Sequence, residues 1–105
     1  MADLDRALTH AVINASSSGN NTLVSAVAGQ KVYVYRFFFV PDAPVDIYFR
    51  DGAAGSALTG AMRDIGTMVM DFSEHPYFVT TAGNALVLNL SAAVGVRGAI
   101  YYVQK

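Results

Sequence analysis

Ser73-Glu74-His75 sets a hydroxyl, an acid and an imidazole in succession, the three group types of a nucleophilic relay. In extended chain, adjacent side chains point to opposite sides, so these three cannot bond to one another in a line. Pro76 follows directly, and the segment reads as a turn at a strand end. His10 lies in the alternating stretch Leu8-Thr9-His10-Ala11-Val12 and reads as a surface or interface polar group. Two histidines and no cysteine give no zinc-type spacing. Asp42, Asp46 and Asp51 lack the dense alternation of a calcium loop. Asp46 and Asp71 could meet across strands, but paired-carboxylate hydrolysis also needs a cleft, which a small sandwich seldom offers. Gly52-Ala53-Ala54-Gly55-Ser56 has neither the lysine of a phosphate loop nor a helix to follow, and reads as a flexible loop tip. No cofactor and no catalytic residue is expected.

The remaining polar chemistry is cationic. Five arginines against two lysines favour fixed pairing over a diffuse basic surface, because the planar guanidinium suits interfaces. Arg36, set among aromatics, must pair with a carboxylate such as Asp46 or Asp71, stack on a ring, or face solvent.

The elements that must carry these residues are strands. Val45-Asp46-Ile47-Tyr48-Phe49-Arg50 alternates apolar and polar with period two, and over 84–90 Leu86, Leu88 and Leu90 share one face opposite Ala85, Val87 and Asn89. Met68, Met70 and Phe72 share one face over 66–72. Over 96–103, Val96, Ile100 and Tyr102 lie opposite Ala99, Tyr101 and Val103. Further strands are expected over 22–28 and 31–40. Residues 1–13 fit either a helix capped by Asp3 or a strand over 8–13, the strand being preferred. Turn signals recur every ~8–12 residues, the spacing of an antiparallel sandwich or barrel. The expected fold is therefore all-β: an antiparallel β-sandwich, jelly-roll-like, of about eight short strands. Residues 1–21 are expected to form an N-terminal arm or first strand plus a flexible linker, and 22–105 the sandwich domain.

One strand is apolar on both faces. Tyr33, Tyr35, Phe37 and Phe39 form one row by simple alternation, while Val34, Phe38 and Val40 flank Arg36 on the other. A two-sheet sandwich covers only inner faces, so the outer row needs a covering loop or a subunit interface. Tyr48, Tyr101 and Tyr102 add large amphipathic rings of the kind enriched at interface centres. The candidate interface set is Tyr33, Tyr35, Arg36, Phe37, Phe39, Tyr48, Tyr101 and Tyr102.

Composition agrees with a packed domain. Of 105 residues, 53% are hydrophobic and 14% charged, with net charge −1, so disorder is excluded. The near-neutral balance lacks the basic footprint of nucleic-acid binding. Val32 to Val40, the most apolar stretch, is broken by Arg36 and far short of the ~20 residues of a membrane helix. Met1 to Arg6 mixes charges where a secretory signal has cations and then an apolar run, so no such signal is expected.

With the strands placed, a resemblance emerges. Asn21 through Tyr35, Phe49-Arg50-Asp51-Gly52 through Ala61, Gly83 through Val94, and Gly98-Ala99-Ile100-Tyr101-Tyr102-Val103 together resemble small virion proteins of tailed bacteriophages, over about residues 21–103. The resemblance implies a β-sandwich or jelly-roll module without enzymatic activity, decorating or cementing the capsid or forming part of a head or tail fibre. It implies partners as well: further copies of itself, a trimer favoured, and the major capsid protein, with no nucleic acid and no membrane. The location implied is the capsid surface of the virion, after synthesis in the bacterial host cytoplasm. The alternative it leaves open is an adhesion module whose loop tyrosines stack on host-surface glycans.

Overall fold

The structure, a computed structural model, describes residues 8–71 and 73–105. Nine strands follow one another: β1 (Thr9–Ala15), β2 (Gly19–Val24), β3 (Val32–Pro41), β4 (Val45–Asp51), β5 (Met62–Ile65), β6 (Met68–Met70), β7 (Phe78–Val79), β8 (Leu86–Leu90) and β9 (Val96–Gln104). They form two antiparallel sheets, one ordered β1-β9-β3-β6 with β7 also on β3, the other β2-β8-β4-β5. The expected β-sandwich is the fold found. Among the described residues there is no helix.

Its topology follows from one long folded hairpin. β1 pairs with β9, β2 with β8, β3 with β6 and β7, and β4 with β5, all antiparallel. Rolling this ladder brings β9 against β3 and β8 against β4, which splits it into two facing sheets. That is the strand order of a jelly roll.

The core is the inner face of each strand. Ile13, Val32, Val34, Phe37, Phe39, Val96 and Ile100 from the first sheet meet Val45, Ile47, Phe49, Leu86, Leu88 and Leu90 from the second. The centre is aromatic: Phe49 lies 4.9 Å from Phe37 and 4.8 Å from Phe78, ring centre to ring centre. Such pairs add ~0.5–1.5 kcal/mol each beyond the area they bury. Where the β3 edge runs out of strand partners, Thr80 supplies one. Its buried hydroxyl accepts the Val32 N–H at 2.8 Å, and its own N–H returns to the Val32 carbonyl at 3.0 Å.

Several boundaries differ from expectation. β2 runs 19–24 rather than 22–28, so a boundary between residues 21 and 22 falls inside a strand. Only residues 16–18 separate β1 from β2, and Asn21 holds this corner by donating to the Ser17 and Gly19 carbonyls. It is a fastened corner instead of a free linker. The stretch 66–72 contains only β6, and Phe72 lies outside the described residues, as do residues 1–7 with Asp3. β5 and β7 were not anticipated, because strands of four and two residues are too short to show alternation.

The main correction concerns β3. Its register against β9 slips between Val34 and Arg36, leaving Tyr35 as the extra residue of a bulge. A bulge shifts side-chain parity by one. Val32 and Val34 face the core before it, Phe37 and Phe39 after it, and the expected single row of Tyr33, Tyr35, Phe37 and Phe39 does not exist.

Candidate functional site

The outward positions of the first sheet follow from its register. They are His10, Val12 and Asn14 on β1, Arg97, Ala99, Tyr101 and Val103 on β9, Tyr33, Arg36, Phe38 and Val40 on β3, Val69 on β6 and Val79 on β7. Across its middle runs one apolar line, Val12–Ala99–Phe38–Val69. Val12 is 64% exposed, Val69 60% and Val40 49%. These three are among the five large hydrophobic side chains most exposed in the described residues. An unbroken apolar stripe on an outer sheet face is a feature that solvated monomers avoid.

A polar row lies beside this line. Arg36 stands over the Tyr101 ring at 5.3 Å, and His10 approaches the same ring from the opposite strand at 5.3 Å. Lys105 covers Tyr33 at 5.2 Å. Arg97 donates to Asp42 at 3.2 Å, an exposed pair of little energetic weight. None of the outward positions on this sheet is a carboxylate. The face is therefore apolar with a cationic flank.

The second sheet presents the opposite character. Its outward residues include Asn20, Thr22, Asp46, Tyr48, Arg50 and Asn89. They bond largely to each other and to the loop after β4. Asn89 donates to Asn20 at 2.9 Å, Arg50 to the Gly55 carbonyl at 2.9 Å, and Asn20 to the Ala53 carbonyl at 3.0 Å. The 52–56 segment, expected as a flexible tip, is held down by these contacts. Asp51 anchors it from the other side, its carboxylate accepting the Thr81 N–H at 2.8 Å, the Thr81 hydroxyl at 2.6 Å and the Asn84 amide at 3.1 Å. Burial raises the Asp51 pKa, but the bonds from Thr81 and Asn84 outweigh it, and the net shift is downward.

Of the eight expected interface residues, the structure brings three together on this face: Tyr33, Arg36 and Tyr101. Phe37 and Phe39 are core side chains, 5% and 0% exposed, because the bulge turns them inward. Tyr35 is buried at the bulge itself, and Tyr102 packs on the inner side of β9. Tyr48 lies on the other sheet. Arg36 and Asp46 point away from opposite sheets and cannot pair. The same face also carries Val12, Phe38, Val40 and Val69. Phe38 and Val40 share Arg36's row by alternation, so their face was legible once Arg36 was known to point outward.

Among the described residues, the groups weighed for catalysis are placed as follows. The Ser73 hydroxyl accepts the His75 backbone N–H at 3.4 Å, a turn contact and not a relay. Asp46 lies on β4 and Asp71 follows β6, which places them on different sheets. Among the described residues no three His, Asp or Glu side chains gather as a metal site. A recess of about 240 Å³ opens between β5 and β6 and is lined by Phe37, Leu58, Met62, Met68, Met70 and Phe78, with the Thr59 and Tyr77 side chains as its polar margin. Among the described residues no helix is long and apolar enough to cross a membrane. No protein-family model, curated protein or solved structure matches the chain.

Proposed function

We propose that the chain is a non-enzymatic virion structural protein of the tailed-bacteriophage type, a capsid decoration or cement protein. In this reading it binds major capsid subunits as an oligomer on the outer surface of the head. The observation that carries the reading is the contrast between the two sheets. One outer face is bonded to itself by amides and a guanidinium, and the other exposes Val12, Phe38, Val40 and Val69 around Arg36 and Tyr101. Docking on a shell needs many modest contacts, and apolar burial at ~25 cal/mol per Å² supplies them without chemistry. The cations beside it, Arg36 over Tyr101 and Lys105 over Tyr33, complement an acidic apolar surface.

The adhesion alternative draws less support. Five of the six tyrosines lie in strands, and Tyr77, the one in a loop, already donates its hydroxyl to the Asp71 carbonyl at 2.5 Å. The decisive experiment adds purified protein to capsids that lack it and images them by electron microscopy. Ordered density on the capsid surface is expected. Bare capsids, together with reproducible binding on a glycan array, would replace decoration by adhesion.

A further inference from the structure

A sandwich has four lateral edges, and here they are unequally protected. β2 carries a register slip between Thr22 and Val24, and β5 is four residues long with a register slip of its own against β4. The edge beyond β3 is split between β6 and β7, of three and two residues. Short strands and bulges of this kind are how proteins blunt an edge against a second chain. β1 has neither. All seven residues pair with β9 without a slip, and Thr-His-Ala-Val-Ile-Asn-Ala contains no proline, lysine or acid. Among the described residues no strand pairs with its outer edge, which offers a row of backbone donors and acceptors beside a valine that is 64% exposed.

We propose that β1 is a strand-addition site occupied by β1 of a second copy, antiparallel about a local two-fold axis. The register that pairs all seven residues puts the axis at Val12, with His10 opposite Asn14 and Thr9 opposite Ala15 of the second copy. Two observations favour a second copy over a foreign strand. The segment is self-complementary in this register, with Val12 meeting itself and no like charges opposed. An axis perpendicular to the sheet also keeps both apolar faces on the same side, so Val69–Phe38–Ala99–Val12 continues into Val12–Ala99–Phe38–Val69.

The size of the face points the same way. Four strands ~4.8 Å apart and about seven residues long present roughly 440 Å² of sheet, in projection, per copy. A stable interface buries about 800 Å² per partner. Two paired copies reach that scale and one does not. This last point rests on the docking face proposed above, whereas the pairing itself rests only on the edge.

The test exploits a chain without cysteine. Directly opposed strand residues have Cα atoms ~4.5–5.5 Å apart, within disulfide reach. Under mild oxidant, Val12→Cys is expected to give a covalent dimer on a non-reducing gel, and Val69→Cys, at the far edge of the same face, is not. Val12→Lys is expected to weaken self-association about tenfold or more in sedimentation equilibrium while leaving the circular dichroism unchanged. Equal cross-linking of the two cysteine variants would overturn the pairing, as would a wild-type chain that stays monomeric at high concentration. An oligomer indifferent to Val12→Lys, or association only with a foreign strand, would do the same. Capsids left bare by a protein whose Val12→Cys form still cross-links would remove the decoration reading and leave the pairing standing.

Discussion

Asp51 shows how a single carboxylate fixes a loop. Three donors converge on it from Thr81 and Asn84, thirty or more residues away in sequence, and Gly52 beside it turns the chain at φ +76°. Glycine adopts that conformation without the steric cost other residues bear. Because Asp51's pKa is lowered on folding, its stabilisation is present above the unfolded value near ~3.9 and is lost as pH falls through the folded value. Denaturant melts of wild type and Asp51→Ala should therefore show a gap at neutral pH that narrows on acidification below about pH 4. A gap that persisted undiminished into stronger acid would show that the carboxylate's charge is not what holds the loop.

At the scale of the element, β9 is the strand on which the first sheet depends, because it pairs with β1 on one side and β3 on the other. Gly98 on β9 lies directly opposite Phe39 of β3. A Cβ there would overlap the Phe38 carbonyl oxygen, and backbone cannot swing aside as a flexible side chain can. Gly98→Ala should destabilise by ~1–3 kcal/mol, the usual cost of overpacking, read as a lower denaturant midpoint with unchanged slope. Unchanged stability would mean that the two strands separate freely at this point. The bulge at Tyr35 is the other device of this sheet. Without it, simple alternation from Val34 would turn Phe37 and Phe39 to solvent and bring Arg36 and Phe38 to the inner face.

For the whole molecule, the two faces of β3 let the core be tested apart from the proposed docking face. Phe37→Asp buries a charge in the aromatic centre and should unfold the chain, so it reports on the core alone. Phe38→Asp sits on the outer face and should leave thermal unfolding nearly unchanged while abolishing capsid association. Paired melting curves and capsid co-sedimentation check both. Loss of folding in Phe38→Asp, or retained capsid binding, would take the outer face out of the function.

Alternation in Val45–Arg50 and Leu86–Leu90, with turn residues between, was enough to specify strands, an all-β sandwich and most inward positions, since period two is local and needs no partner to be seen. Surplus apolar surface on the 31–40 segment was equally legible, because no small sandwich covers both faces of a strand. Which face was surplus was not. A bulge is a mismatch between two strands, here β3 and a β9 some sixty residues later, and nothing within either segment announces it. Tertiary pairing therefore decided that Phe37 and Phe39 build the core while Phe38, Arg36 and Val12 meet the outside, and it alone left β1, among the described residues, as the longest edge strand and one paired without a slip.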